Sequence, residues 1–270
     1  MKACINGNWL AYSDVGCGPA VILIHSFPLC RQMWQAQIEA LSAQGMRVIA
    51  PDLRGFGESV CVEESFSLAA LSDDINALMS YLGIGRAVMV GVSMAGGLLL
   101  DMLERYPHRV AATCFLSPAM QPGDTAEEVR RFDLAELVRE GHRPTAIDNL
   151  CERLLSGQPS EAKRKLTSQL RDWMGKPSDT TLAGALASRP SRLRYRDEGQ
   201  LYPVPTLVMT GARDKVITAL KQPGPENGVR QVINDAGHLI NLEAPDEVNQ
   251  SLIGFLQSLS NVKLHHPRLQ

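Results

Sequence analysis

Three residues with the side chains needed for nucleophilic catalysis each follow a short apolar run in this sequence. Ser93 comes directly after "RAVMVGV", Asp214 lies just beyond "TLVMTG", and His238 lies just beyond "VRQVIN". A serine hydroxyl is a weak nucleophile near neutral pH, so it needs a base within hydrogen-bonding distance and a third group that orients the base. These residue types therefore predict acyl transfer through a serine nucleophile, provided that the fold brings them together.

The apolar runs have the length of buried strands and alternate with segments of helical spacing. After an opening hairpin at residues 3–14, the runs are AVILIH (20–25), MRVIAPD (46–52), RAVMVGV (86–92), VAATCFLS (110–117), TLVMTG (206–211) and VRQVIN (229–234). This alternation predicts an α/β fold, with a mainly parallel twisted sheet and helices on both faces. Because open sheets of this class bind ligands at the carboxyl ends of their strands, the three residues are expected at one edge.

The alternation stops in the middle of the chain. There the sequence consists of helix-forming pieces separated by the turn signals "GHRP", "GQPS" and "GKPS", without a convincing strand run. This composition predicts about four helices inserted between two strands. The predicted organisation is a core domain at 1–120 and 201–262, a helical cap insertion at 121–200 and a tail at 263–270.

Ser93 stands among small residues where a predicted strand meets a predicted helix. Gly91, Ala95 and Gly96 let the two elements approach closely, and the helix N-terminus beside Ser93 favours negative charge. The pattern resembles the nucleophile elbow of the α/β-hydrolase superfamily, whose usual form is G-x-S-x-G, with Ala95 in place of the second glycine. The resemblance extends over nearly the whole chain.

The superfamily has a characteristic chain order of nucleophile, acid and histidine. Ser93, Asp214 and His238 occur in that order, so the resemblance implies that they form a catalytic triad. Asp235 lies three residues before His238 and is a rival for the role of the acid on sequence alone.

A second motif lies near the N-terminus. The segment "LIHSFPLCRQMW" at 23–34 is similar to the H-G-F-P loop of the superfamily, with Ser26 in place of the glycine. That resemblance implies that the backbone N–H groups of Phe27 and Met94 form the oxyanion hole. His25 is then expected to shape the loop rather than to act as a base.

The resemblance also indicates a subgroup. "HSFPLCRQMW", "DLRGFGES" and "GHLINLEAP" are most similar to small esterases and to enzymes like 3-oxoadipate enol-lactonase. In "DLRGFGES" the glycines permit unusual backbone angles and Arg54 is expected to tie the loop down. The implied activity is hydrolysis of a small carboxylic ester or lactone without a metal or organic cofactor. The substrate pocket is expected between the sheet edge and the cap, and candidate lining residues are His25, Leu239, Phe132 and Trp173.

Other functions use the same scaffold and remain open. A carbon–carbon bond hydrolase, an aminopeptidase and a cofactor-free perhydrolase share the triad with esterases. A ligand-binding receptor with little turnover is an alternative from a different class. Epoxide hydrolases and dehalogenases resemble this sequence less well, because they carry a carboxylate at the elbow where this chain has Ser93.

Composition excludes several classes of partner. The 270 residues are 44% hydrophobic and 21% charged with a net charge of -2, which gives no field that attracts nucleic acid or an anionic membrane. The N-terminus lacks the apolar stretch of a signal peptide, so a cytoplasmic location is expected. Six dispersed cysteines predict reduced thiols rather than disulfides or a metal site. The oligomeric state stays open.

Overall fold

An eight-stranded sheet forms the centre of the described structure. The computed structural model describes residues 1–60, 67–118, 125–157, 160–187, 203–217 and 228–263. Within these ranges the strands are β1 (Lys2–Ile5), β2 (Asn8–Val15), β3 (Ala20–Ile24), β4 (Arg47–Pro51), β5 (Ala87–Val92), β6 (Val110–Leu116), β7 (Thr206–Gly211) and β8 (Val229–Ile233). They are ordered β1-β2-β4-β3-β5-β6-β7-β8 across the sheet.

The sheet is antiparallel at one end and parallel elsewhere. β1 and β2 form a hairpin whose turn residues Asn6 and Gly7 both have positive φ, 47° and 79°, as a tight two-residue hairpin turn requires. β2 then pairs antiparallel with β4, whereas every neighbouring pair in the series β4, β3, β5, β6, β7 and β8 is parallel. The predicted hairpin and the predicted α/β fold are both confirmed.

The register of the parallel strands brings their carboxyl ends to one edge. Val92 at the end of β5 pairs with Leu116 of β6, and Leu116 pairs in turn with Met209 of β7. Gly211 at the end of β7 pairs with Ile233 at the end of β8. The segments that follow β5, β6, β7 and β8 therefore leave the sheet side by side.

Helices cover both faces of the sheet. Outside the middle of the chain they are α1 (Gln35–Ala43), α2 (Leu68–Tyr81), α3 (Ala95–Arg105), α8 (Ile240–Glu243) and α9 (Pro245–Lys263). Along β3, Leu23 belongs to the hydrophobic cluster that contains residues of α1 and α9, whereas Ile22 and Ile24 belong to the cluster that contains residues of α2 and α3. This alternation is that of a strand buried on both faces. None of the described helices is both long and apolar enough to cross a membrane.

Four described helices lie between β6 and β7. They are α4 (Thr125–Arg139), α5 (Arg143–Leu154), α6 (Glu161–Met174) and α7 (Asp179–Ala187), and we call them the helical insertion. Gly141, with a φ of 85°, follows α4 as a helix-terminating glycine, whereas α5 ends at Leu154 because its cap residue Leu155 is already extended. The predicted boundaries near 121 and 200 lie outside the described residues, as do residues 264–270 of the predicted tail.

β8 differs from its prediction as a buried strand. Only Ile233 is buried, and Val229 and Val232 are 57% and 52% exposed. The reason is position, because β8 is the last strand of the sheet and has β7 as its only neighbour in the described sheet. The apolar character of the run predicted the strand correctly and its burial wrongly.

The described cysteines are free thiols. Cys30, Cys114 and Cys151 are buried, and Cys4 and Cys17 are exposed. Burial raises the pKa of Cys30 to about 12 and that of Cys151 to about 11. The buried thiols therefore stay protonated and pack as small apolar groups, as the sequence predicts.

Candidate active site

The turn between β5 and α3 holds Ser93 in an uncommon conformation. Its φ is +56°, in the left-handed region that residues with a side chain seldom adopt. The N–H of Ser93 donates to the carbonyl of Leu116 over 2.9 Å, and the carbonyl of Ser93 accepts from the N–H of Gly96 over 2.9 Å. These bonds anchor the strained residue to the neighbouring strand and to the following helix. The serine is only partly buried, at the edge where β5 ends.

Gly91 allows the close approach of β5 and α3. A Cβ atom at this position would lie 2.8 Å from Cδ1 of Leu99 and 2.9 Å from Cβ of Ala95. The methyl group of Ala95 thus occupies the space that the missing side chain of Gly91 leaves. This contact explains how the turn accommodates alanine where the superfamily pattern has glycine.

Asp214 and His238 form a buried pair beyond β7 and β8. Nδ1 of His238 lies 2.8 Å from Oδ2 of Asp214, and the two side chains are 0% and 1% exposed. The other carboxylate oxygen accepts the N–H groups of Val216 and Ile217 over 2.8 Å and 2.9 Å. Because a carboxylate only accepts hydrogen bonds, Nδ1 carries the ring proton and Nε2 is left as the basic nitrogen.

The basic nitrogen of His238 has no hydrogen-bond partner among the described residues. Nε2 is fully shielded from solvent, and Ser93 is likewise not bonded to it in this part of the chain. The structure therefore brings Asp214 and His238 together and places Ser93 at the same sheet edge without a direct bond. In proteins without bound substrate, catalytic hydrogen bonds are often long and shorten only in the reacting complex.

Asp235 points to a different partner. Its carboxylate lies 2.6 Å from the guanidinium of Arg213, and the two side chains are 78% and 54% exposed. The described contacts of Asp235 are thus those of a surface ion pair, whereas His238 is bonded to Asp214.

His25 connects two loops at the same edge. Its Nε2 accepts the N–H of Leu53 over 2.8 Å, and its Nδ1 lies 2.9 Å from the carbonyl oxygen of Ser26. Nδ1 must therefore carry the proton and donate it to the carbonyl. The side chain is fully buried, and this burial lowers the pKa of His25 below its ordinary value. Both ring nitrogens are engaged, so His25 braces the loop.

Asp52 organises the turn that follows β4. Its buried carboxylate accepts the N–H of Arg31 over 2.7 Å and that of Glu58 over 2.9 Å, and it also pairs with the Arg31 guanidinium. Gly57 has a φ of 58°, and a Cβ atom there would collide with this carboxylate at 2.2 Å. The nearby Arg54 is held by Asp74 in a buried ion pair of 2.7 Å. The "DLRGFGES" turn is thus built around carboxylates that fix backbone geometry.

The candidate oxyanion-hole residues come from adjacent strands. Ile24 at the end of β3 pairs with Gly91 of β5, so the loop that carries Phe27 leaves the sheet beside the turn that carries Ser93. Met94 immediately precedes α3, where backbone N–H groups lack acceptors within the helix. The ring of Phe27 stacks on that of Phe56 with a centroid distance of 4.6 Å.

The candidate pocket residues lie on different elements of the chain. Leu239 follows His238 and is fully buried. Phe132 is 38% exposed on α4, and Trp173 on α6 packs against the main hydrophobic cluster. Their predicted role in lining the substrate pocket stays a prediction.

Two residues at this edge are not among the candidates predicted from the sequence. Ser117, directly after β6, is fully buried with a φ of 40°, and its hydroxyl has no partner among the described residues. Its place at the end of an apolar run is the same signal that identifies Ser93. The second residue is Glu243, whose carboxylate lies 3.0 Å from the N–H of Gly237 beside the histidine. It lies inside the motif "GHLINLEAP", and its sequence position alone is that of an ordinary helix glutamate. Only the contact with Gly237 distinguishes it.

Comparisons with known proteins agree with this architecture. The esterase of Thermogutta terrifontis superposes with a TM-score of 0.85 at 28% identity over 96% of this chain and 98% of its own. The enol-lactonase of Burkholderia xenovorans LB400 has a TM-score of 0.85 at 25% identity, over 95% of this chain and 100% of its own. Epoxide hydrolase A of Mycobacterium tuberculosis is 28% identical over 89% of this chain and 91% of its length.

A sequence profile of the α/β-hydrolase fold matches residues 19–245, from the start of β3 to the first residue of α9. That range contains the parallel part of the sheet, the turn at Ser93, the helical insertion and the Asp214–His238 pair. The chain belongs to the α/β-hydrolase fold family.

Proposed function

We propose that this protein is a serine hydrolase that cleaves a small carboxylic ester or lactone through an acyl-enzyme. The observation that carries the proposal is the buried Asp214–His238 pair, with Oδ2 2.8 Å from Nδ1 and with Nε2 unbonded among the described residues. In this arrangement Nε2 of His238 can act as a base and accept a proton from a group other than Asp214. Ser93 is the nucleophile candidate at the same edge.

In the proposed mechanism the hydroxyl of Ser93 attacks the carbonyl carbon and its proton passes to Nε2 of His238. Asp214 stabilises the imidazolium that forms, and its bonds from Val216 and Ile217 keep the carboxylate in place. The tetrahedral intermediate collapses as the imidazolium returns the proton to the leaving alcohol. Water then attacks the acyl-enzyme with His238 as base, which releases the acid and restores the serine.

The negative charge that develops on the carbonyl oxygen needs donors beside Ser93. We assign this role to the backbone N–H groups of Phe27 and Met94, the second at the start of α3, where the helix dipole favours negative charge. Loss of one such donor typically lowers kcat by about 10²- to 10³-fold. The bonds of His25 to Ser26 and Leu53 support the loop that would present the first donor.

The substrate is proposed to bind between the sheet edge and the helical insertion, which would act as a cap. Leu239, buried beside His238, is then an apolar lining residue. The likeness to an esterase and an enol-lactonase over almost the full chain supports an ester or lactone as the substrate class. Epoxide hydrolysis fits less well despite the related epoxide hydrolase, because the elbow carries Ser93 instead of a carboxylate. Carbon–carbon bond hydrolysis, amide cleavage and perhydrolysis use the same nucleophile. Comparing kcat/KM over a panel of esters, lactones, amides and diketones distinguishes these activities.

The test combines a chromogenic ester with a covalent probe. The wild-type protein should hydrolyse p-nitrophenyl butyrate and should be labelled by a fluorophosphonate, with the adduct on the peptide that contains Ser93. Ser93→Ala should abolish both reactions. Ser258→Ala removes an exposed serine hydroxyl on α9 and should change neither. Labelling that persists in Ser93→Ala would reject the nucleophile, and an inert wild-type protein would favour a ligand-binding role.

A further inference from the structure

The two residues that flank His238 in the chain are both tied to groups outside their own loop. The N–H of Leu239 donates to the carbonyl of Leu154, at the end of α5, over 3.4 Å. The N–H of Gly237 donates to Oε1 of Glu243 over 3.0 Å. The backbone is therefore fixed on both sides of the imidazole, on one side by the following helix and on the other by a residue distant in sequence.

Glu243 extends the second contact to the helical insertion. Its other oxygen, Oε2, accepts the N–H of Ser156 over 2.8 Å and the hydroxyl of Ser156 over 2.6 Å. A Cβ atom on Gly237 would lie 2.8 Å from the backbone nitrogen of Ser156, so the two backbones pack without a gap. One carboxylate thus joins the histidine loop to the segment that follows α5.

The loop that carries Asp214 contacts the same segment. Nζ of Lys215 donates to the carbonyl of Glu152 over 3.3 Å. Residues 152–156, which we call the α5 brace, therefore touch the loop of the acid as well as the loop of the base. Ser160, at the start of α6, instead accepts a hydrogen bond from the N–H of Lys163 in its own helix.

We propose that the α5 brace is a positioning element for the Asp214–His238 pair, and that Glu243 is the positioning residue that connects it to the histidine. The inference rests on the proposed hydrolase function, in which Nε2 must meet the Ser93 hydroxyl within hydrogen-bonding distance. A displacement of about 1 Å at such a group lowers the rate by up to about 10²-fold. The insertion thus contributes to the geometry of the base in addition to covering the substrate.

The acylation kinetics of Glu243 and Ser156 variants distinguish a positioning role from general destabilisation of the fold. In Glu243→Ala both bridges are lost, so the acylation rate of p-nitrophenyl butyrate and the rate of fluorophosphonate labelling should fall about 10- to 100-fold, with little change in KM. Glu243→Gln keeps one acceptor oxygen and should fall less, and Ser156→Ala, which keeps the backbone bond, should also fall less. The acylation rates of the variants should therefore follow the number of hydrogen bonds to Gly237 and Ser156 that each variant retains.

The matched control is Ser160→Ala. It makes the same substitution as Ser156→Ala four residues away and removes the N-cap bond to Lys163, 3.1 Å long, without touching either catalytic loop. It should lower the Tm to a similar extent and leave the acylation rate unchanged. Tm and circular dichroism spectra of each variant separate misfolding from misplacement.

The outcomes distinguish this inference from the proposed function. If the wild-type protein neither hydrolyses the ester nor reacts with the probe, the hydrolase function fails and the inference fails with it. If the wild type is active and Glu243→Gln and Ser156→Ala acylate as fast as Ser160→Ala, the positioning role alone is rejected. Should Glu243→Ala not fold, the two milder variants still decide the question.

Discussion

The nucleophile and the base of the proposed site are held by different parts of the molecule. Ser93 is anchored by a bond from its own N–H to Leu116 of the neighbouring strand. The loop beside it is fixed by His25, which bonds to Leu53 after β4. Every one of these partners belongs to the strands of the sheet or to the loops at their ends.

The base is held partly from outside the sheet. His238 and Asp214 lie on loops that are bonded to the α5 brace, through Glu243 in the first case and through Lys215 in the second. We call the loops that carry Ser93 and His25 the nucleophile side, and the loops that carry Asp214 and His238 the base side. The nucleophile side should keep its geometry when the helical insertion is altered, whereas the base side should not.

Loss of the Asp214 carboxylate should disturb the base side most strongly. Asp214→Asn replaces the acceptor of the Nδ1 proton with an amide, and the imidazole then favours the wrong tautomer. We expect kcat for p-nitrophenyl butyrate to fall by about 10⁴-fold, the loss seen when the orienting aspartate of a serine triad is made neutral. Asp235→Asn removes only a surface pairing with Arg213 and should leave kcat unchanged. Equal losses in the two variants would contradict the assignment of the acid.

Overpacking at Gly91 should disturb the nucleophile side less strongly. Gly91→Ala places a methyl group 2.8 Å from Leu99 and 2.9 Å from Ala95, contacts that require the strand and the helix to separate. Overpacking of this kind costs about 1–3 kcal/mol in the free energy of unfolding, measured by urea denaturation. The matched control is Gly254→Ala on α9, where a Cβ atom meets nothing within 4 Å and alanine is the better helix former. A Gly91→Ala protein as stable as the control would refute the close approach.

Most of the framework that positions these groups follows from the sequence. The apolar runs before Ser93 and Asp214 predict β5 and β7 to within a residue, because buried parallel strands are nearly continuous in apolar residues. The run before His238 predicts the bounds of β8 equally well, although β8 is largely exposed. Parallel pairing then places all three residues at one edge. The small residues around Ser93 predict the tight turn, since only they permit the strand and the helix to approach.

The rest depends on contacts that no local pattern encodes. Asp214 and Asp235 both lie on loops near His238, and the direction of each side chain decides which one bonds to the imidazole. Ser156 and Glu243 are 87 residues apart, so neither shows a recognisable spacing. The exposure of β8 is likewise a property of its edge position in the sheet and not of its own apolar sequence.

The weakest of these effects is a loss of stability at low pH, which involves His25 on the nucleophile side. Burial lowers the pKa of His25 in the folded protein below the ordinary value near 6.5, so the unfolded chain takes up a proton on this residue first as the pH falls. The stabilisation from neutral His25 is therefore complete above about pH 6.5 and is lost as the pH falls from there toward the lowered pKa. Between about pH 7 and pH 5 the Tm of the wild-type protein should fall more steeply than that of His25→Gln, which cannot titrate at this position.

The control for this comparison is His108→Gln, because His108 is exposed on the surface. Its Tm should follow the wild-type profile, since this substitution leaves the buried imidazole of His25 in place. Protonation of His25 would also remove the acceptor for the N–H of Leu53, so the acid loss should include the loop that carries Phe27. Local loss of this bond would show in the wild-type protein at low pH as exchange of the Leu53 amide hydrogen that is faster than global unfolding allows. Parallel Tm profiles for the wild type and His25→Gln would show that the buried imidazole is not what makes the nucleophile side sensitive to acid.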